Sequence, residues 1–218
     1  RRFDEPSGNW VNLEIPANLT NGIGYSYIRQ SKATATTATF TGSLITSDVT
    51  PSLTNNGTGG INYAGWNLIG NPYTSAIQWE TGIWSRNNVD NAVYVWSNGV
   101  YKSFVNGAGT LTNGIIPAQQ GFFVKANAAS PSITIPADAR VHNTQSFYKN
   151  SIPNVLCLDV ASNVNEYIDG TFIRFTPEAT PLFDSKFDAY KLNNDSEAPM
   201  IYTHAGDASL SINSLPAI

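Results

Sequence analysis

VYVWSNGVYKSF runs from Val93 to Phe104, and its middle pair, Asn98-Gly99, decides how the chain is read. Two runs of alternating residues flank that pair. Asn-Gly accepts the positive φ of a type I′ turn, so the runs fold back on one another as a hairpin with a two-residue loop. Loop length then fixes the register: Trp96 faces Tyr101, Val95 faces Lys102, Tyr94 faces Ser103 and Val93 faces Phe104. The aromatic pair beside the turn is a cross-strand contact that holds the register.

Working outward, GWNLIGNPYTSAIQW spans Gly65 to Trp79. WNLIG reads as a short strand. Asn71-Pro72 turns the chain, because the residue before proline is pushed out of the helical region. TSAIQW then predicts a single helical turn capped by Thr74 or Ser75, with Ile77 and Trp79 facing inward. WVNLEI from Trp10, GIGYSYIRQ from Gly22 and the threonine-rich ATATTATFTGSLIT from Ala33 alternate as strands do. TNNGTGG from Thr54 has no period and is a loop. GIIPAQQGFFVKA and SITIPADARVH each carry a short strand, with Pro117 and Pro136 at strand edges, where a missing N–H does least harm. No long amphipathic pattern appears anywhere, so the chain is all-β.

The texture changes near residue 150. FYKNSIPN is polar and breaks at Pro153, and VLCLDV, TFIRFT, DAYKL, MIYTH and LSINSL follow as closely spaced strands. Short strands with turn signals between them predict a sandwich. All five tryptophans precede residue 97, so the two parts differ in composition. The expected organisation is two consecutive antiparallel β-sandwich domains, jelly-roll or Ig-like, over 1–150 and 151–218, with the boundary at 149–153. The second is near the lower size limit for an independent core. It is expected to be incomplete, or completed by a partner's strand. A free final strand near Leu210–Leu215 would recruit that partner, since unpaired sheet edges do so.

Composition narrows the function. Charged residues make up 13% of the chain and the net charge is −4. That is about half the charge usual in soluble domains, so Asn, Thr, Ser and Gly supply the surface polarity. No basic stripe with interleaved aromatics is present, which argues against a nucleic-acid partner. No apolar run approaches the ~20 residues of a membrane span. Cys157 is the sole cysteine, which excludes internal disulfides and multi-cysteine metal sites. Its setting, NVLCLDV, predicts a buried, inert thiol. Asn18-Leu19-Thr20 and Asn56-Gly57-Thr58 match the N-glycosylation sequon, a match that an Asn/Thr-rich chain also makes by coincidence.

Catalytic signals are sparse. His142 and His204 have no second histidine or cysteine at metal-ligand spacing. No nucleophile elbow and no phosphate-binding glycine loop appear. Asp184 and Asp188, with Asp169 and Glu178 upstream, are the densest carboxylates. They fit turn structure, because Asp side chains bond nearby backbone. Calcium, which takes oxygen ligands, and glycosidic cleavage by a carboxylate pair are the alternatives for Asp184 and Asp188. No catalytic or cofactor-binding residue is assigned. Bulky rings remain: Trp66, Trp79 and Trp96 are expected in the core, and Trp84, in the polar GIWSRNN, on the surface. In the alternative reading the chain is a carbohydrate-binding module attached to a secreted glycosidase. Trp84, Trp96 and Tyr101 would then stack on a polysaccharide.

The order of GWNLIGNPYTSAIQW, VYVWSNGVYKSF, IIPAQQGFFVKA, ITIPADARVHNTQSFYK and IRFTPEATPLFDSKFDAYKL, ending in LSINSLP, resembles a region of large secreted and cell-surface proteins of the Bacteroidota. That region lies just upstream of the C-terminal sorting domain used by the type IX secretion system. The resemblance covers roughly residues 22 to 216. It implies export across the outer membrane and an outer-surface or extracellular location. It does not imply an enzyme: such regions accompany adhesins, repeat-rich surface proteins and some hydrolases, and they carry no catalytic residues to transfer. The expected function is a non-catalytic module of a surface protein, serving as a stalk, an adhesin or a filament subunit that assembles by strand addition.

Overall fold

The computed structural model describes residues 1–14, 17–27, 39, 41–56, 63–142 and 154–217. In the N-terminal part the strands are β1 (Arg2–Asp4), β2 (Asn9–Val11), β3 (Trp66–Gly70), β4 (Ala76–Gln78), β5 (Ser85–Asn87) and β6 (Val93–Ser97). They continue as β7 (Val100–Phe104), β8 (Ile115–Ile116), β9 (Gly121–Lys125), β10 (Ser132–Thr134) and β11 (Arg140–Val141). The C-terminal part holds β12 (Val155–Ala161), β13 (Ile168–Phe175), β14 (Ala189–Tyr190), β15 (Thr203–Ala205) and β16 (Ala208–Leu215). Two single 3-10 turns are the helical content of the described residues. The chain is all-β, as its composition predicts.

The 93–104 hairpin forms in the predicted register, with Trp96 opposite Tyr101 and Val93 opposite Phe104. Asn98 and Gly99 take φ of 47° and 78°, the left-handed pair a type I′ turn requires. This hairpin belongs to a four-stranded antiparallel sheet ordered β3-β9-β6-β7. Pleating sends Val93, Val95, Phe122 and Val124 to one face and Tyr94 and Phe123 to the other. The first face packs on Ile77 of β4, Ile116 of β8 and Ile133 of β10, around a fully buried Trp79. Trp66 and Phe123 on the second face pack with Ala189 of β14 and Ile212 of β16. The sheet is therefore a middle layer covered on both sides. This explains why VYV and GFFV are continuously apolar rather than alternating.

The stretch from Gly65 to Trp79 is a corner held by polar atoms. Asn71 Nδ2 donates to the carbonyls of Ser75 and Pro117, both at 2.9 Å, and its Oδ1 accepts the Tyr73 N–H at 3.0 Å. Tyr73 reaches across to donate its hydroxyl to the carbonyls of Ser47 and Ile135. Ile77 and Trp79 do point inward, but TSAIQW is not helical. Ala76–Gln78 is strand β4, which pairs with β11 and β8 on its two sides. Tertiary pairing of β-branched Ile77 overrides the capping signal of Thr74 and Ser75.

Other expectations shorten or fall. WVNLEI contributes only β2, which ends at Val11. GIGYSYIRQ supplies a lone bridge between Ile23 and Ile69 and no strand among its described residues. Half of the threonine-rich run lies outside the described residues, and 41–46 is in no strand. Among the described residues, pairing of the first segment stops at Gly22–Gly24 beside β3, and alternation alone does not make a strand.

Beyond residue 153, all five predicted strands form one sheet, ordered β12-β13-β16-β14, with β15 also on β16. One pair departs from the antiparallel expectation, since β13 and β16 run parallel. The long connection through β14 and β15 brings the chain back in the same direction, as a parallel pair needs. The proposed boundary at 149–153 lies outside the described residues. The two flanking parts share the Trp66–Ile212 cluster. The final strand is not a free edge. β16 pairs with β13 on one side and with β14 and β15 on the other, and Leu210 and Ile212 are fully buried. The edge is β12. Among the described residues it pairs only with β13.

Candidate functional site

A cleft of about 790 Å³ opens beside the β1–β2 hairpin, the middle sheet and the β15–β16 turn. Its walls are aromatic. Phe3 and Trp10 face one another across the hairpin, 5.7 Å apart and edge to face. Phe123 lies 5.5 Å from Phe3. Tyr190, following Ala189 in the buried β14, sits 6.2 Å from Trp66. Lys125 closes the floor: its ammonium lies 5.1 Å above Trp66 and 5.2 Å from Tyr190 and donates to the Ala64 carbonyl at 2.9 Å. Desolvation lowers the Lys125 pKa, and Asp90 and Glu5 oppose that shift.

No histidine or cysteine lines this cleft. Asp207 stands on the β15–β16 turn, and the Lys191 ammonium is already engaged by Asp169.

A second hollow of about 500 Å³ adjoins Lys125 and contains Asp90. Asp90 is buried, and its Oδ1 accepts from Asn127 Nδ2 at 2.8 Å. Desolvation raises its pKa above 3.8, against the Asn127 hydrogen bond and the Lys125 charge. Asp188 is raised in the same way, mainly by desolvation. The folded state therefore holds these protons more tightly than the unfolded chain does. Their ionisation costs stability at neutral pH, and that cost is relieved as pH falls through the raised values towards 3.8. Melting temperature should accordingly rise on mild acidification. In Asp90→Asn the rise should shrink, with a higher melting temperature at neutral pH. Parallel pH profiles for the two proteins would contradict this.

The residues singled out in the sequence do not converge. Trp84 is half-buried rather than on the surface. It packs 4.7 Å from Trp79 and donates its indole N–H to the carbonyls of Gln78 and Thr81. Trp96 is 42% exposed rather than in the core, because it sits beside the turn of the hairpin. It meets Tyr101 at 4.8 Å with an interplanar angle of 66°. Trp84 packs on the first core cluster and Tyr101 on the second, so the three rings make no common row. Asp184 and Asp188 share a turn. Asp188 Oδ2 accepts the Asp184 N–H and its Oδ1 the Ser214 N–H, both at 2.7 Å, while Asp184 Oδ1 accepts the Lys186 N–H. Backbone donors thus engage three of the four carboxylate oxygens.

His142 and His204 are exposed, the latter 5.2 Å from Tyr202. Cys157 is exposed rather than buried, since β12 is an edge strand with little packed on it. Asn18 and Asn56 are exposed, and the rest of the second sequon lies outside the described residues. Sequence reasoning missed Phe3, Trp10 and Lys125 as cleft residues. No local signal marks them, because the cleft is assembled from strands far apart in the chain.

Fold and cleft together define an all-β module with an aromatic hollow. The chain belongs to the family described as "Domain of unknown function (DUF8693)", which matches residues 3–217. It is also 32% identical over 127 residues to the "Minor fimbrium subunit Mfa5" of Porphyromonas gingivalis, a match covering 48% of this chain and 10% of that protein. The chain thus spans about a tenth of the length of the curated relative it matches. No solved structure matches it significantly. Among the described residues, no helix is long and apolar enough to cross a membrane.

Proposed function

We propose that the chain is a non-catalytic, extracellular module of a Bacteroidota surface protein and serves as a filament or adhesin subunit joined to neighbours by strand addition. Partial similarity to a fimbrium subunit supports the surface and filament parts of this reading. Export by the type IX route belongs to the same reading and is supported by the motif order. The observation that carries the assembly step is β12. Its seven residues, VLCLDVA, pair on one side only among the described residues, and Leu156 and Leu158 are 49% and 40% exposed. A sheet-edge strand with exposed leucines is a template for another strand.

Sedimentation of the purified protein across a concentration series tests this. The wild type should associate as concentration rises. Leu158→Lys, which places a charge on that strand, should stay a monomer with an unchanged melting temperature. A wild type that remains monomeric throughout, or a lysine variant that associates equally well, overturns the reading.

A further inference from the structure

Asp169 of β13 and Lys191, one residue beyond β14, form an ion pair with both side chains only 2% exposed. The Lys191 Nζ lies 2.5 Å from Oδ1 and 2.5 Å from Oδ2. A charge-assisted N–H···O contact ordinarily spans about 2.7–2.9 Å, and here two are shorter at once. Equal distances to both oxygens place the nitrogen against the carboxyl carbon, within about 3 Å of it, which is the spacing of a near-attack conformer. The Ile201 N–H donates to Oδ2 at 2.9 Å, where negative charge would build up during attack on that carbon.

We infer that Lys191 and Asp169 are joined by an intramolecular amide bond. The ammonium first passes a proton to the carboxylate, leaving a neutral amine beside a neutral acid. The nitrogen lone pair attacks Cγ, and the Ile201 N–H holds the developing oxyanion on Oδ2. The Cγ–Oδ1 bond then breaks. Oδ1 leaves as water with two of the three protons first carried by Nζ, and the third stays on the amide nitrogen. No oxidant, reductant or further reactant enters. Burial assists both halves of the step. It brings the two groups together without intervening solvent, and it keeps out the water that would hydrolyse the product.

The bond has a structural consequence. β13 and β14 flank β16 on opposite sides, so the link ties the two across the central strand of the sheet. The segment from 169 to 191 becomes a closed covalent loop. Pulling β12 and β13 away from β16 would then load a covalent bond instead of a ladder of hydrogen bonds.

Peptide mapping of the purified, fully denatured protein by mass spectrometry gives a direct reading. Trypsin cuts after Lys149, Arg174 and Lys186, and an amide on Lys191 blocks cleavage there. The expected product is a branched species joining residues 150–174 to 187–218, one water lighter than the sum of the two peptides. Lys191→Arg should abolish it and release residues 187–191 as a free peptide. Recovery of unlinked 150–174 and 187–191 from the wild type, with no branched species, overturns the inference and leaves a buried ion pair.

Discussion

Trp79→Ala should destabilise the fold by about 3–5 kcal/mol, the range for truncating a large buried aromatic. Trp79 is fully buried and lies at the junction of three contacts. Its indole N–H donates to the Asn91 carbonyl at 2.7 Å. Arg86 stacks over it at 4.1 Å and donates to its carbonyl at 2.6 Å. Phe122 of the middle sheet meets it edge to face at 6.1 Å. Truncation would open a cavity and leave the Asn91 carbonyl without its donor. It would also strip the ring from a guanidinium whose pKa desolvation already lowers to about 10. Urea unfolding of the variant should show a midpoint shift that removes a large share of a stability typically about 5–15 kcal/mol. A shift under about 1 kcal/mol would mean that the first core cluster is not what holds the sheets together.

Gly65→Ala should cost a comparable amount, on the order of 3 kcal/mol or more, through the backbone rather than the core. Gly65 has a φ of +81°, and an added Cβ would fall 2.1 Å from the Ala126 carbonyl oxygen. That oxygen cannot swing away as a side chain would. It belongs to the residue following β9, whose N–H donates to the Gly65 carbonyl at 2.7 Å. The Gly65 N–H in turn donates to the buried Glu5 carboxylate at 2.8 Å. An alanine must break one of these links to fit, which would loosen β3 from β9 and the β1–β2 hairpin from both. Thermal unfolding should show a lower melting temperature, and the cleft walls at Phe3 and Trp10 should exchange faster. A variant with wild-type stability would show that the close approach can relax.

Much of the fold is legible in the sequence where the signal is local. Asn98-Gly99 dictates both a turn and a register, because few residue pairs accept two successive positive φ values. The five short strands after residue 153 are legible because β-branched and aromatic residues cluster between turn formers. Burial on two faces is harder to read. Trp96 and Trp84 have exchanged the environments expected of them, since what covers an indole is decided by strands dozens of residues away. The same distance hides the cleft, the Asp169–Lys191 pair and the exposure of Cys157. NVLCLDV alternates like a half-buried strand, yet its place at the sheet edge leaves most of its side chains uncovered. Nothing within seven residues reports where a strand falls in the order of a sheet.

Hydrogen exchange across residues 155–161, measured on dilute and on concentrated protein, reads the proposed assembly most directly. Amides of β12 that do not pair with β13 should exchange faster when dilute and become protected as concentration rises, while those of β16 stay slow throughout. Identical exchange of β12 at both concentrations, or protection of its outer amides in the dilute monomer, would contradict strand addition at this edge.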